Sequence, residues 1–252
     1  MATVTLLAKA YNDNQLKFVD TNLKHMLKDL SVQTKVSGVS GHSWVQVTVE
    51  GEDEKVALHY LAQKIGFCPI NLKNLERFSA VRGRISSPDR GAIGLQVDIG
   101  VFCPKAVEAV IPLDDLYSKL MDGRKTTLAK IAKVYGLEEN MPLIVKVNKV
   151  DVQRNFIEAF LSEQQCRLFE TWTKSMLDRL IVLGASRSEI EFALKRAMLN
   201  RDVIAVESLG MFEQVAVCKL GTDARGLIPK IGKELRKAAF VIFSPKEVLK
   251  SP

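Results

Sequence analysis

The chain has 252 residues, of which 47% are apolar and 26% charged, enough apolar content for ordinary cores. Its 36 Lys and Arg against 29 Asp and Glu leave a net charge of +7, a balance that favours polyanionic partners. No run approaches the length of a membrane-spanning helix, the start MATVTLLAKAYNDN lacks the form of a leader, and Cys68, Cys103, Cys166 and Cys218 are too far apart for metal-ligand spacing. These features read as a cytoplasmic protein with reduced thiols, no metal and no other cofactor.

In chain order, residues 3–9 alternate as a short strand, and Leu16, Val19, Leu23, Leu27 and Leu30 recur at helical spacing. Strands are predicted over 32–37 and 44–50. Gly51-Glu52-Asp53 then opens a helix through Ile65, where its acids suit the positive end of the helix dipole. With a last short strand near 67–72, the order is that of a ferredoxin-like module spanning 1–75.

Residues 76–162 have a different rhythm. Val81, Gly83 and Ile85 alternate with Arg82 and Arg84, which predicts a strand with its aliphatics on one face and both guanidinium groups on the other. A turn with Pro88, Asp89, Gly91 and Gly94 follows. Leu95, Val97 and Ile99 alternate in a second strand up to Gly100, and a third runs from Ala106 to Ile111, stopped by Pro112. TTLAKIAKVY, residues 126–135, is helical with Gly136 as its cap, and strands over 143–150 and 154–161 complete the set. Strand, strand, strand, helix, strand, strand is the order of an OB barrel. The residues 116–141 exceed a minimal connection and have room for an elaborated helix. TTLAKIAKVYGLEENM also has the form of the first part of a DNA-reading helix-turn-helix, but Pro142 and LIVKVNKV arrive too early for a recognition helix.

In the remaining part, 163–252, Phe169, Trp172, Met176, Leu180 and Leu183 fall on one helical face, a stripe read as core. Gly184 breaks that helix, and Ser186 with Glu189 makes a capping box for the next, through Leu199. The strands VIAVESLG and EQVAVCKL, Gly221-Thr222-Asp223, a helix over 224–238 and AFVIF echo the strand, strand, Gly-x-Asp, helix order of the first module. The whole is therefore an α+β chain: a ferredoxin-like module, a central OB-fold barrel, and a helical segment leading to an α/β module.

V-R-G-R-I, V-D-I-G, A-V-I-P-L-D-D-L and L-I-V-K-V-N-K-V-D together resemble the RNA-binding OB domain named after ribosomal protein S-one. That resemblance implies single-stranded RNA held across the barrel face. The order barrel, helices, α/β module is similar to that of the alpha subunit of translation initiation factor two. ESLGMFEQVAVCKLGTDARGLIPKIG resembles an archaeal family known only as a domain of unknown function, which implies no activity.

For RNA the candidate contacts are Arg82, Arg84, Arg90, Lys105, Lys146, Lys149 and Arg154, on or beside barrel strands, with Phe102 and Phe156 available to stack. Lys219, Arg225, Lys230, Lys233, Arg236 and Lys237 form a second basic surface with no P-loop ending. His25, His42 and His59 are isolated, while Asp114-Asp115 and Glu138-Glu139 are adjacent pairs that solvate or cap, so no catalytic constellation emerges. The expectation is a non-enzymatic RNA-binding protein of translation or transcription. Its rival is an adaptor that docks a ribosomal or RNA-polymerase subunit, with a DNA-binding helix-turn-helix a distant third.

Overall fold

The computed structural model describes residues 1–87 and 93–251. It divides into two compact units, Met1–Leu75 with Ile99–Val107, and Glu76–Asp98 with Glu108–Pro252.

In the first unit, β1 (Ala2–Lys9), α1 (Asp13–Met26), β2 (Val32–Ser40), β3 (Trp44–Gly51) and α2 (Glu54–Lys64) follow in turn. The Asn12 side chain accepts from the Gln15 amide and Gln15 Oε1 accepts from the Tyr11 amide, so two otherwise orphaned donors start α1. The helix stops at Met26, and Leu30 lies in the turn before β2 rather than on its face. The antiparallel sheet has the order β1-β3-β2. On the other side of β1, Leu6 bridges Phe67, and the Leu7 and Cys68 amides donate to the Gly66 and Thr5 carbonyls. Residues 66–68 thus occupy the fourth-strand place of a ferredoxin-like sheet. The two-residue β4 (Ile70–Asn71) then pairs in parallel with Val101 and Cys103, at the far end of β6 (Gly94–Cys103). Gly100 sits against Cys68, where a Cβ would stand 2.6 Å from Sγ, and its φ of +79° suits glycine alone.

The second unit opens with a five-stranded barrel. Around it run β6, β5 (Ala80–Ser87), β8 (Pro142–Asp151), β9 (Phe156–Leu161) and β7 (Val107–Pro112), and a β6–β7 pairing closes it. Ile85, Leu95, Val97, Ala109, Ile111, Leu143, Val145, Ile157 and Ala159 are fully buried in it or nearly so. Residues 113–141 hold two helices, α3 (Leu113–Leu120) and α4 (Leu128–Tyr135). Asp115 accepts from the Leu161 amide and pairs with Lys119, whose ammonium donates to the Leu161 carbonyl. One member of the Asp114-Asp115 pair is therefore structural. Thr127 caps α4 and Gly136, at φ +65°, ends it.

Beyond the barrel come α5 (Glu163–Lys174), β10 (Arg179–Leu183), α6 (Arg187–Arg196), β11 (Val203–Ser208), β12 (Glu213–Cys218), α7 (Ile228–Ile231), β13 (Ala239–Phe243) and α8 (Pro245–Lys250). The predicted helical stripe is corrected here. Phe169 and Trp172 do lie on α5, but Leu180 and Leu183 belong to β10, a strand buried at every position. Met176 turns the chain at φ +57°, and the Arg179 guanidinium secures the junction by donating to the Trp172 and Leu177 carbonyls and to Ser175 Oγ. Phe169 and Trp172 pack edge-on, and each meets Phe243, with Tyr135 of α4 5.3 Å from Phe169, so the aromatic stripe is core.

β10 also completes the internal echo. The antiparallel sheet has the order β11-β12-β10-β13, and its chain order β10, α6, β11, β12, α7, β13 is β-α-β-β-α-β. This is the arrangement of the first unit. The predicted helix over 224–238 is corrected too: a 3-10 turn, Ala224–Leu227, leads into the single turn of α7, which ends at Gly232. Pro229 has no amide to continue the 3-10 pattern, and glycines on both sides weaken a longer helix.

Candidate nucleic-acid interface

The outer face of the β5–β8–β9 ladder mixes aromatic and cationic side chains. Ala80 pairs with Lys146 and Arg82 with Ile144 across β5 and β8, while Lys146 pairs with Phe160 across β8 and β9. Directly paired residues share a face, so Arg82, Lys146 and Phe160 are brought together.

Phe78 extends this strip just ahead of β5. Its amide donates to the Val147 carbonyl and the Val147 amide donates to Ser79, so the ladder holds the backbone here. The residue takes φ +68°, a left-handed conformation unfavourable for an aromatic residue, and is 57% exposed. The Arg77 guanidinium lies 4.6 Å from the ring centroid, fixed by donation from Nε to the Asn148 carbonyl, and Lys146 Nζ lies 5.7 Å away. Lys119 Nζ stands 5.2 Å from the Phe160 ring. The Phe78 face with its adjacent cations is equipped to stack a base and neutralise phosphate, whereas Lys119 beside Phe160 is already paired with Asp115. On this face Glu158 accepts from the Asn148 side-chain amide.

The predicted contacts divide. Arg82 and Lys146 lie on the strip and Lys149 is exposed farther along β8, opposite Glu158. Arg154 projects from the β8–β9 turn beside Asp151, and Phe156 is half-buried opposite the same aspartate. Phe102 and Lys105 belong to the first unit, where Phe102 packs on Gly41 and Lys105 is exposed. Arg90 lies outside the described residues. The second basic set is exposed throughout, but Arg225 pairs with Glu247 at 2.7 Å, and α7 is too short to present a helix N-terminus to phosphate.

Arg84 is the correction. It is 2% exposed, and its Nη2 lies 3.0 Å from Oε2 of Glu213, itself 2% exposed. Asp98, also buried, is its cross-strand neighbour on β6. Gly210, in the turn before β12, makes room for this pair: a Cβ there would stand 2.0 Å from Glu213 Oε2 and 2.7 Å from Arg84 Nη2. The second face of β5 is covered by the turn that carries Gly210 and by Glu213 at the start of β12, so simple alternation fails and Arg84 cannot meet a phosphate.

Three sequence matches run along the chain: the DUF2110 N-terminal domain over residues 3–69, the central domain over 76–173 and the C-terminal domain over 177–243. The chain belongs to the DUF2110 family. The aromatic strip lies wholly in the DUF2110 central domain, and the Arg84–Glu213 pair joins that domain to the C-terminal one. No curated protein matches the chain. Among solved structures, the intact alpha subunit of aIF2 from Pyrococcus abyssi is 13% identical, covering 67% of this DUF2110 chain and 97% of its own, with a TM-score of 0.26. A chain of the a/eIF2alpha-aDim2p-rRNA complex from Pyrococcus horikoshii is 17% identical, with 51% and 70% covered and a TM-score of 0.25. An uncharacterized protein from Methanocaldococcus jannaschii is 12% identical, with 35% and 95% covered and a TM-score of 0.25.

Among the described residues no cluster of three His, Cys, Asp or Glu side chains is placed to hold a metal, and no helix is long and apolar enough to cross a membrane.

Proposed function

We propose that the protein binds single-stranded RNA on its barrel, without catalysis, and acts in the cytoplasm in translation or transcription. The observation that carries this reading is Phe78, an exposed aromatic held in a costly backbone conformation between Arg77 and Lys146. A ring so placed offers a stacking platform, and the flanking cations offer phosphate contacts, the pairing that single-strand binders use. The barrel is then an S-one-type OB domain whose binding surface lies on the first, fourth and fifth barrel strands.

The test is a fluorescence-anisotropy titration of the full chain with a short single-stranded RNA, a matched DNA and an RNA duplex at several salt concentrations. RNA preference with a steep salt dependence supports the reading, and reversing Arg77, Arg82 and Lys146 together should flatten that dependence. Unchanged affinity in that triple variant removes this face from the site.

A further inference from the structure

We infer that the groove between α1 and the free edge of β2 receives an extended, acidic segment of a partner protein, which adds to the sheet as a further strand. The surface is independent of the barrel strip and lies within the first unit.

The backbone of β2 is the first observation. The strand ends the sheet order β1-β3-β2, and among the described residues the ladder to β3 accounts for its backbone pairing from Gln33 to Ser40. Its other row of amides and carbonyls therefore has solvent as its partner. Edge strands of this kind template an incoming strand unless they are blocked. β2 contains no proline, and its irregularity falls between Val36 and Gly38, which leaves Gln33–Val36 as the regular stretch.

The groove supplies the second. A space of about 670 Å³ lies beside Thr34–Gly38, walled on its other side by α1. Half-buried Leu16 and Val36 give it an apolar floor suited to a β-branched side chain. Strand addition beside a helix lets backbone bonds supply affinity and such pockets supply selection.

Charge chooses the partner. Lys17, Lys24 and Lys35 line the groove against a single acid, Asp20, which Lys24 already engages at 2.6 Å. The remaining positive charge favours carboxylates on the incoming segment. Nucleic acid is the poorer fit, because no aromatic side chain lines the groove and half of the open strand edge is carbonyl oxygen, which repels phosphate.

The probe is a fluorescein-labelled peptide of alternating Glu and Val, titrated by anisotropy against the full chain. Two N-methylated versions carry methyl groups on the amides of one edge or of the other. The parent should bind, one methylated version should fail and the other should bind like the parent, since a single edge of the peptide faces β2. Lys17→Glu with Lys35→Glu should weaken binding by about tenfold or more, both side chains being rim charges.

Absence of binding at millimolar peptide overturns the inference, as does equal binding by both methylated versions, which would mean charge attraction without strand addition. A dimer in sedimentation that the Lys17→Glu, Lys35→Glu variant dissolves would give the groove to a second copy of the chain. Displacement of the peptide by single-stranded RNA in a Phe78→Ala background would give it to nucleic acid. Either result also overturns the inference, and neither bears on the barrel strip.

Discussion

Arg82 and Arg84 stand two residues apart on one strand and meet opposite fates. Arg82 remains in solvent on a face shared with Lys146 and Phe160, whereas Arg84 is enclosed against Glu213 and beside Asp98. At the open end of the strand, cations are left beside aromatic rings. At the closed end, the same chemistry is spent on holding the barrel to the C-terminal module. Charge on a barrel strand therefore indicates ligand binding only where nothing else in the fold covers it.

Arg84→Met is the harshest test of that contrast. It strands Glu213 in a buried site, and denaturant unfolding should show a loss of about 3–5 kcal/mol, while RNA affinity measured well below the melting temperature stays at the wild-type value. Pairing it with Glu213→Leu should recover part of the loss, because the uncompensated carboxylate is then removed. Gly210→Ala attacks the same contact without touching a charge. The intruding methyl displaces the ion pair, and the cost should be about 1–3 kcal/mol in the same unfolding experiment.

Phe78→Gly should invert the pattern. RNA affinity should fall by about 1–3 kcal/mol in titration as the stacking surface is lost. Stability should hold steady or rise by up to about 1 kcal/mol, since glycine accepts the left-handed backbone without penalty. A large loss of stability instead would make Phe78 a structural residue.

The smallest effect is in alkali and again marks the buried side. Burial pushes the Tyr135 hydroxyl up to about 12 and the Cys218 thiol up to about 11, from ordinary values of 10.0 and 9.0. Both groups stay protonated in the folded chain while the unfolded chain ionises. Their contribution is therefore whole below the ordinary thiol value and is lost as pH rises through the folded values. Melting temperature should decline across that alkaline range, and Tyr135→Phe should remove the upper part of the decline. Arg82→Ala should leave the curve unchanged.

Much of this architecture was legible from spacing. The alternation in β3 and β8 matches surfaces buried on one face, and the Ser186–Glu189 box marks the start of α6 as predicted. Legibility failed where both faces are covered. β10 reads as the uninterrupted run RLIVL, which periodicity cannot separate from buried helix, and Leu180 and Leu183 happen to continue the spacing of Phe169 and Trp172. Arg84 was misplaced for the same reason, since the covering turn comes from a segment 129 residues away. Phe78 went unrecognised as a site because it precedes its strand, and its exposure follows from a backbone angle with no glycine to announce it. The adjacent Arg77-Phe78 doublet was the one local signal.

The first unit takes Ile99–Val107 from a later stretch of the chain, with Gly100 against Cys68 and Val101 beside Ile70. During synthesis the unit is consequently unfinished when Leu75 has been added, and it waits for elongation to pass Val107. A fragment cut at residue 75 lacks the Gly100 and Val101 contacts, and its melting temperature should fall below that of the same unit in the full chain.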